Sequence, residues 1–473
     1  MKKKLMLTYP NMRWLKEDMT TTWNLNPSTL CLLGAMVKDY VEVRIVDAQF
    51  NGMAKEDFAR AVREYGPDYV GISLLSSEYR DTLDVAADIV KSVNSGIVVI
   101  AGGVHVTTQF AHTMRNPSID YCVRGEGEIV VGKLLRFLNG DGAFPEVGIV
   151  YRKDGEVIAQ DQAVVDDLTK LPWPDYDLID FRPYFDTGAR KHSPNRAPEY
   201  PAVRMVTTRG CPLGCSFCQV ETISTKRVRA RDPEDVVNEL QFLKDRYGIR
   251  SVIFDEDNIL MAPGKYAKRL FRLMIEKRLG LKWIATAFAL FLLDDETLDL
   301  MKASGCVGVN VAIESGNRRV LRDLVGKPLD LAEVPGIIER IRGRGLYCIA
   351  NFVIGFPGES WNEIRETVHF AETCGADYVK IYGAVPLFGT RLYQMAKETN
   401  SLVHNDAFPQ ADWRYGQIKS DEWTAKDISI LRAYEWDRIN FAPHKLKKVA
   451  EIWGIDEAEL NQVRKQTRDA LVF

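Results

Sequence analysis

Along the first third of the chain, short strand-like runs of hydrophobic residues alternate with stretches in which hydrophobic residues have helical spacing. Short runs rich in β-branched residues predict strands at residues 4–7, 42–46, 69–73, 97–101 and 121–123. Between them, apolar residues recur every three or four positions, as at Leu30, Leu33 and Val37, and predict amphipathic helices. Strands that alternate with helices in this way predict an α/β domain over residues 1–140, with a doubly wound, flavodoxin-like parallel sheet.

A second series of strand–helix units occupies residues 200–395. Its strands are predicted at residues 202–207, 251–254, 282–286, 308–312, 348–354 and 378–382. Six such units predict a partial (β/α)6 barrel, whose active site would lie at the carboxyl ends of its strands. Residues 141–199, with short strand-like runs and a proline-punctuated stretch, are predicted to be a linker. Residues 396–473 have helical periodicity and predict a helical cap, in which the many aromatic residues favour a core role.

Composition narrows the class of protein. The chain has 473 residues, of which 46% are hydrophobic and 27% charged, as in soluble globular proteins. A net charge of −3 gives no electrostatic case for nucleic acid, and no apolar stretch has the length of a membrane span. Five of the eight cysteines stand singly in apolar surroundings, which favours buried positions in a reducing, cytoplasmic protein. These five are Cys31, Cys122, Cys306, Cys348 and Cys374.

The other three cysteines form the run C-x-x-x-C-x-x-C at Cys211, Cys215 and Cys218. Thiolates are the usual iron–sulfur ligands, and most clusters have four of them. Three from one loop therefore suit a [4Fe–4S] cluster with one iron open to a small molecule, and Phe217 is placed to cover a flat ring. A zinc site or three core cysteines are the alternatives. Zinc usually takes four ligands from paired C-x-x-C units, and no His follows at ligand spacing.

The cysteine run and the polar strand ends that follow it resemble the radical S-adenosylmethionine (SAM) enzyme family. The resemblance implies that the open iron chelates the methionine end of SAM, and that an electron from the cluster cleaves SAM to a 5′-deoxyadenosyl radical. It also implies that Glu256 and Asp257, after the second barrel strand, meet the SAM amino group. Glu314 and Ser315 would meet the ribose and methionine end, and Gly355 would lie near the adenine. An ordinary turn is the alternative for each position.

Small and polar residues also follow the strands of the first domain. Small residues let the backbone approach a ligand closely, and hydroxyl groups can bind its polar atoms. A generic flavodoxin-like domain is the alternative, but in this order ahead of the cysteine run the loops resemble the cobalamin-binding domain of cobalamin-dependent radical SAM enzymes. The candidate cobalamin-binding residues are Asp47, Gln49, Gly52, Ser73, Ser76, Gly102, Gly103, Gly125, Glu126 and Gly127.

One position departs from the pattern of the wider cobalamin-binding family. That family carries D-x-H-x-x-G, whose His becomes the lower cobalt ligand, whereas this chain has Gln49 there. An amide is a poor ligand for cobalt. We therefore expect base-off cobalamin with no His ligand from the loop at residues 47–52. His105 is an alternative donor, although a surface or capping role fits it better.

These resemblances imply a methyltransferase. One SAM would remethylate cobalamin, and a second would yield the radical that lets an unactivated sp3 carbon accept the methyl group. The resemblances imply two kinds of partner, a protein reductant (flavodoxin or ferredoxin) and a protein, peptide or small-molecule substrate.

A ring-forming enzyme like the anaerobic magnesium-protoporphyrin ester cyclase is one alternative function. An electron-transfer or cobalamin-carrier protein is another, against which the SAM-positioning loops argue. As a whole, the chain resembles the methylase of a glutamine carbon in methyl-coenzyme M reductase, although no motif carries that likeness.

Overall fold

The computed structural model describes residues 2–15, 25–74, 80–186, 196–403 and 412–471. The chain divides into two compact units, Met1–Thr187 and Gly188–Phe473, which are described in turn.

The first unit alternates strands and helices, and all five predicted strands are present. Its elements are β1 (Lys3–Tyr9), α1 (Ser28–Val37), β2 (Val41–Asp47), α2 (Lys55–Tyr65), β3 (Tyr69–Leu74), α3 (Arg80–Val93), β4 (Val98–Gly103), α4 (Val104–Thr113), β5 (Tyr121–Val123), α5 (Gly127–Leu138), β6 (Ile149–Lys153), β7 (Glu156–Ala159) and α6 (Arg182–Asp186).

These strands form one sheet in the order β2-β1-β3-β4-β5-β6-β7. The first five are parallel, and their order is the flavodoxin-like one, with a topological switch point between β1 and β3. The interior strand β1 buries Leu5, Met6 and Leu7 because helices cover both faces of such a sheet. Ligands of this fold bind beyond the carboxyl ends of the strands at the switch point.

The antiparallel hairpin β6–β7 extends the edge of this sheet. It lies inside the predicted linker, so part of that segment belongs to the first unit's sheet. The predicted domain boundaries near residues 140, 199 and 395 stay predictions.

The second unit contains the second strand–helix series. Its elements are β8 (Ala202–Met205), β9 (Thr208–Arg209), α7 (Val220–Ser224), β10 (Arg229–Ala230), α8 (Pro233–Tyr247), β11 (Ser251–Phe254), α9 (Tyr266–Glu276), β12 (Lys282–Ala285), α10 (Asp295–Ala303), β13 (Gly308–Glu314), a π-helical turn (Val320–Val325), α11 (Val334–Gly343), β14 (Tyr347–Ile354), α12 (Trp361–Thr373), β15 (Tyr378–Gly383), α13 (Arg391–Glu398), α14 (Ala425–Asn440), α15 (Leu446–Trp453) and α16 (Glu457–Leu471).

The six main strands of this unit run parallel in sequence order. Strands β8, β11 and β12 form one three-stranded sheet, and β13, β14 and β15 form another. Single bridges from Trp283 to Cys306 and from Phe288 to Val311 connect the two sheets. The result is the predicted partial (β/α)6 barrel, which is open between β8 and β15.

Local chemistry sets the boundaries of the barrel helices. Asp232 accepts hydrogen bonds from the first turn of α8, which has Pro233 at its first position and ends at Gly248 in the left-handed conformation. Helix α12 begins with a capping box of Ser360 and Glu363. These caps fix the residues at which the helices begin, and therefore also the length of the loops between strands and helices.

Helix α14 covers the open edge of the barrel at β15. The Asn440 side chain accepts a hydrogen bond from Val379 N at 2.7 Å and donates one to Val379 O at 2.7 Å. Arg432 Nη1 donates to the Ile381 carbonyl at 3.3 Å. Side chains thus satisfy backbone groups that an edge strand would leave exposed. The C-terminal segment therefore completes the barrel as well as covering it.

The aromatic residues of the C-terminal segment divide between core and surface. Trp423, Trp436 and Phe441 are buried, in line with the predicted core role, and Trp436 Nε1 donates to Tyr378 Oη at 2.7 Å. Trp413 and Tyr434 are exposed, against that prediction.

The five single cysteines are buried, as predicted, and all eight cysteines are free. Across the described ranges of the chain, no helix is both long and apolar enough to cross a membrane.

Candidate active site

The cysteine run lies in a loop between β9 and α7, and the antiparallel pair β9–β10 closes its base. Gly210 has φ +95°, and a side chain there would meet the Arg227 carbonyl oxygen at 2.3 Å. Cys211 N donates to the Thr225 carbonyl at 3.3 Å. The chain that returns after the loop therefore packs directly against its first cysteine.

Two further segments hold the middle of the loop through Ser216. Ser216 N donates to the Val325 carbonyl at 2.8 Å, and Leu392 N donates to the Ser216 carbonyl at 2.7 Å. The Ser216 side chain is buried, and its Oγ has no hydrogen-bond partner. Backbone contacts from three parts of the barrel thus define the loop's shape.

The three thiols are half-buried, and burial disfavours their thiolate form. Burial raises the pKa of Cys215 to about 11 and that of Cys218 to about 12, so both are protonated until a metal displaces the proton. No three Cys, His, Asp or Glu side chains among the described residues are placed to hold a single metal ion, as a zinc site needs. Thiolates are the usual ligands of iron–sulfur clusters, and the assignment of these three thiols as cluster ligands stays a prediction.

Glu256 and Asp257, after β11, both hold the backbone that leads into the cysteine loop. Glu256 Oε1 accepts from Thr207 N at 2.7 Å and from Thr207 Oγ1 at 2.8 Å, and its Oε2 accepts from the N–H and hydroxyl of Thr208. Asp257 Oδ2 accepts from Gly210 N at 2.8 Å. Burial nevertheless raises the pKa of Glu256 to about 7. The contact predicted between these carboxylates and SAM stays a prediction.

Glu314 ends β13 in a strained conformation beside the cysteine loop. Its φ is +75°, an unusual value for a residue with a side chain, and the pairing register with β14 shifts there. Its Oε1 lies 3.0 Å from Lys327 Nζ, and both residues are buried. Lys327 lowers and Glu314 raises the pKa of the Cys215 thiol, although burial is the larger influence. An opposite-charge pair therefore lies next to the predicted cluster.

Sequence reasoning missed Lys327. Its position in the apolar stretch Val325-Gly326-Lys327-Pro328-Leu329 was the available signal, because a lysine in such a setting is buried only with a partner.

The turn after β14 approaches the same loop. Gly355 has φ +87°, and its N–H and that of Phe356 donate to Glu359 Oε2 at 2.7 and 2.9 Å. Glu359 is buried, which raises its pKa to about 8. The Phe356 ring lies 6.1 Å from that of Phe217 between centroids. Phe217, predicted to cover a flat ring, is thus beside the turn predicted to lie near adenine, and Glu359 is a second residue that sequence reasoning missed.

Ser315 is placed differently from the other predicted SAM contacts. It is fully buried, and its hydroxyl lies 2.8 Å from Thr367 Oγ1 of α12 and accepts from Asn317 N at 3.1 Å. The hydroxyl therefore joins the turn after β13 to a helix.

In the first unit, hydrogen bonds and a ring contact with nearby residues hold the predicted cobalamin-binding loop at residues 47–52 in place. Asp47 is buried; its Oδ1 accepts from Phe50 N at 2.8 Å and its Oδ2 from Tyr184 Oη at 3.0 Å, while burial raises its pKa to about 6. The Tyr184 ring stacks on Phe50 at 3.8 Å. Gln49 Oε1 accepts from Met12 N at 2.7 Å. The carbonyl oxygen of Gln49 is thus already engaged by the backbone.

The glycines at the strand ends have two different environments. A side chain at Gly103 (φ +100°) would meet the Leu74 carbonyl oxygen at 2.3 Å, and one at Gly125 (φ +92°) would meet the Ala163 carbonyl oxygen at 2.2 Å. Protein backbone alone therefore requires glycine at these two positions. Gly52 (φ +56°) faces open space, and the nearest atom to a side chain at Gly102 would be 3.9 Å away, so both leave room for a ligand.

The remaining candidates lie along the same strand ends. Ser73 pairs with Gly102 across β3 and β4, and Gly127 begins α5. Glu126 Oε2 accepts from Val165 N at 2.6 Å. Ser76 lies outside the described residues. Sequence reasoning missed Thr107, whose hydroxyl donates to Gly103 O and accepts from Gly125 N, both at 3.0 Å, and so joins the ends of β4 and β5.

The expected surface or capping role of His105 is wrong. The residue is 1% exposed within α4, and burial lowers its pKa to about 3, so the imidazole is neutral. Its ring lies 6.1 Å from that of His112.

Comparisons with known proteins agree with this two-unit architecture. The radical SAM superfamily model matches residues 205–371, and the B12 binding domain model matches residues 24–135. An uncharacterized methyltransferase of Pyrococcus horikoshii is 30% identical over 413 residues, covering 86% of this chain and 85% of its own. Cytidylyl-2-hydroxyethylphosphonate methyltransferase of Streptomyces wedmorensis is 29% identical over 437 residues, covering 85% of this chain and 81% of its own.

Among solved structures, the cobalamin-dependent SAM radical enzyme OxsB, with aqua-cobalamin and SAM bound, has the same fold. Its TM-score is 0.74 at 15% identity, over 98% of this chain and 72% of that one. Curated cyclases also match, at 26% identity, less closely than the two methyltransferases just described. The chain belongs to the cobalamin-dependent radical SAM methyltransferase family. The predicted fold class and the predicted enzyme class are thereby confirmed.

Proposed function

We propose that this enzyme transfers a methyl group to an unactivated sp3 carbon, with a [4Fe–4S] cluster on Cys211, Cys215 and Cys218. The observation that supports this most is the convergence of three strand ends, those of β11, β13 and β14, on the cysteine loop. When bound, the cluster and SAM supply a 5′-deoxyadenosyl radical, and base-off cobalamin in the first unit supplies the methyl group.

The residues around the loop have distinct roles in this proposal. Glu256 and Asp257 hold the entry to the loop through hydrogen bonds to its backbone. Glu314 and Lys327 present a carboxylate and an ammonium group, which match the amino and carboxylate groups of SAM. The phenyl rings of Phe217 and Phe356 form an apolar wall for a flat ring.

The proposal assigns SAM affinity in part to Glu314. In the Glu314→Gln variant, the dissociation constant of SAM should rise by an amount equivalent to about 1–3 kcal/mol, because a charge-assisted hydrogen bond is lost. Iron content should not change, since Glu314 is not a ligand. Isothermal titration of SAM and iron analysis measure the two quantities.

Loss of Glu314 alone also leaves the buried ammonium of Lys327 without its partner, which destabilises the fold. The double variant Glu314→Gln, Lys327→Met removes both charges, and its unfolding free energy shows how much of the single variant's loss of stability comes from the unpaired ammonium. An unchanged SAM dissociation constant in the single variant would show that Glu314 is only the partner of Lys327.

For cobalamin, we propose that no side chain of the loop at residues 47–52 binds cobalt. The support is that Gln49 Oε1 and both oxygens of Asp47 already accept hydrogen bonds within the unit. The crevice beyond the carboxyl ends of β1 and β3 is the proposed site.

The variant Gln49→His tests the placement of this loop under cobalt. We expect new nitrogen superhyperfine splitting in the electron paramagnetic resonance spectrum of the Co(II) form. We also expect a lower ratio of methylated product to deoxyadenosine, because an added nitrogen donor to cobalt would stabilise Co(III). Gln49→Glu keeps an acceptor for Met12 N and serves as the control. An unchanged spectrum and ratio would place position 49 away from cobalt.

Anaerobic assay with SAM and a reductant tests the reaction class. Formation of both 5′-deoxyadenosine and S-adenosylhomocysteine supports methyl transfer. Deoxyadenosine alone supports the cyclase alternative, and the absence of both products supports a carrier.

A glutamine carbon in a protein is our proposed acceptor, on the whole-chain resemblance alone. Mass spectrometry of cellular proteins with and without this enzyme tests it, and the cytoplasmic location stays a prediction.

A further inference from the structure

A segment of the predicted linker packs against the first unit well beyond the end of the matched B12 binding domain, which stops at residue 135. Asp175 N donates to the Cys31 carbonyl of α1 at 3.2 Å. A side chain built at Gly34, one turn further along α1, would meet Leu178 at 2.3 Å. We call residues 175–186 the strap, because they pack along α1 before ending in α6.

Buried aromatic rings hold the strap together. The centroid of the Phe181 ring lies 4.9, 5.9 and 5.5 Å from those of three neighbours, Tyr176, Tyr184 and Phe185. All four side chains are buried. Contacts between aromatic rings stabilise a fold beyond the apolar area that they bury. The strap therefore fixes the position of Tyr184 within the first unit.

Tyr184 reaches the loop at residues 47–52 with both parts of its side chain. Its hydroxyl donates to Asp47 Oδ2 at 3.0 Å, and its ring stacks on Phe50 at 3.8 Å. Asp47 is 2% exposed, and no cation among the described residues forms an ion pair with its carboxylate. Hydrogen bonds therefore stabilise the charged form of Asp47, and Tyr184 supplies one of them from outside the loop.

We propose that the strap is part of the cobalamin site and that Tyr184 is a positioning residue, which acts through Asp47 and Phe50 on the loop at residues 47–52. This rests on the proposed function, since it places cobalamin beyond the carboxyl ends of β1 and β3. The loop ends at Gly52, whose open surroundings leave room for a ligand. A loop that is already held in one conformation loses less conformational entropy when a ligand binds. The hydroxyl and the ring of Tyr184 should therefore both raise cobalamin affinity through the loop.

The test measures binding of aquacobalamin to the full chain by absorbance titration. In Tyr184→Phe the dissociation constant should be about fivefold or more higher, because Asp47 loses a donor and the loop is less ordered before binding. Tyr184→Leu also loses the stacking on Phe50 and should bind more weakly still, so Phe at this position should rescue part of the loss. The matched control is Tyr69→Phe, which removes a hydroxyl that donates to Asn139 Oδ1 at 2.7 Å. The control should bind as the unchanged enzyme does, because Tyr69 begins β3 and the proposed site lies beyond the other end of that strand.

A double variant separates positioning from a merely structural role. In Asp47→Ala the Tyr184 hydroxyl has lost its acceptor, so adding Tyr184→Phe should raise the dissociation constant no further. Two independent effects on the fold would instead multiply. Chemical denaturation of the cobalamin-free variants should show similar losses of unfolding free energy in Tyr184→Phe and Tyr69→Phe, because each loses one hydrogen bond of a tyrosine hydroxyl.

Equal dissociation constants for Tyr184→Phe and Tyr69→Phe, or multiplied effects in the double variant, would overturn the proposal. This comparison holds even if Tyr184→Leu fails to fold. Failure of the proposed function would show differently, as an unchanged enzyme that binds no aquacobalamin at all.

Discussion

Replacing Cys211, Cys215 and Cys218 together with Ala should abolish cluster assembly and leave cobalamin binding intact. The three thiols are the proposed iron ligands, and they lie in the second unit, whereas the cobalamin-binding fold lies in the first. Iron analysis and the cobalamin absorption spectrum of the reconstituted variant measure the two properties separately.

A matched control comes from the other cysteines of the second unit. Cys306, Cys348 and Cys374 are buried in the barrel, and replacing all three with Ala removes the same number of thiols. That variant should keep its iron, although its core loses some packing. Cluster iron retained in the loop variant would refute the ligand assignment, and iron lost equally from both variants would point to unfolding.

The second large effect is expected at Glu256. The Glu256→Ala variant should lose about 3–5 kcal/mol of unfolding free energy, because buried donors of Thr207 and Thr208 lose their acceptor. Because these donors adjoin the cysteine loop, iron retention should fall as well. Chemical denaturation and iron analysis of the same preparation measure both effects.

The variant Glu256→Gln keeps the size of the side chain but only one oxygen acceptor, so its loss of stability should be smaller. Asp255→Ala is the matched control, because Asp255 pairs with Arg204 outside the loop's backbone contacts. Equal losses in Glu256→Ala and Asp255→Ala would contradict a special role for Glu256.

Glu256 also predicts a direction of pH dependence. Burial raises its pKa in the folded state from an ordinary value of 4.5 to about 7. The folded state therefore binds more protons between these values, and the contribution of Glu256 to stability falls as pH rises through that window. The difference in unfolding free energy between the unchanged enzyme and Glu256→Gln should decrease from pH 4.5 to pH 7. A constant difference would show that the four donors hold the carboxylate charged throughout.

The cysteine run and the alternation of strands and helices can be recognised in the amino-acid sequence alone. Ligand spacing within one short loop is a property of adjacent residues, so Cys211, Cys215 and Cys218 could be identified from their order. Periodicity depends on the local backbone, so the strands of both units could be predicted near their observed positions. The contribution of β6–β7 to the first sheet could not, because edge pairing depends on contacts between distant segments.

Individual site residues were harder to assign, because a side chain's partner is set by folding. Glu256 and Gln49 stand where the resemblance places cofactor contacts, yet each accepts a hydrogen bond from backbone far away in sequence. Lys327 was missed for the same reason, since its partner Glu314 lies thirteen positions earlier and meets it only in the folded chain.

The sequence by itself determined the fold class, the alternation of strands and helices in both units and the presence of Gln49 in place of His in the loop at residues 47–52. Only the tertiary structure decided which carboxylates brace the cysteine loop, which residue neutralises Lys327 and how α14 covers the edge of β15. The physical reason is the range of the interactions: ligand spacing and periodicity are local, whereas buried charges and edge hydrogen bonds are satisfied by groups that only the fold brings together.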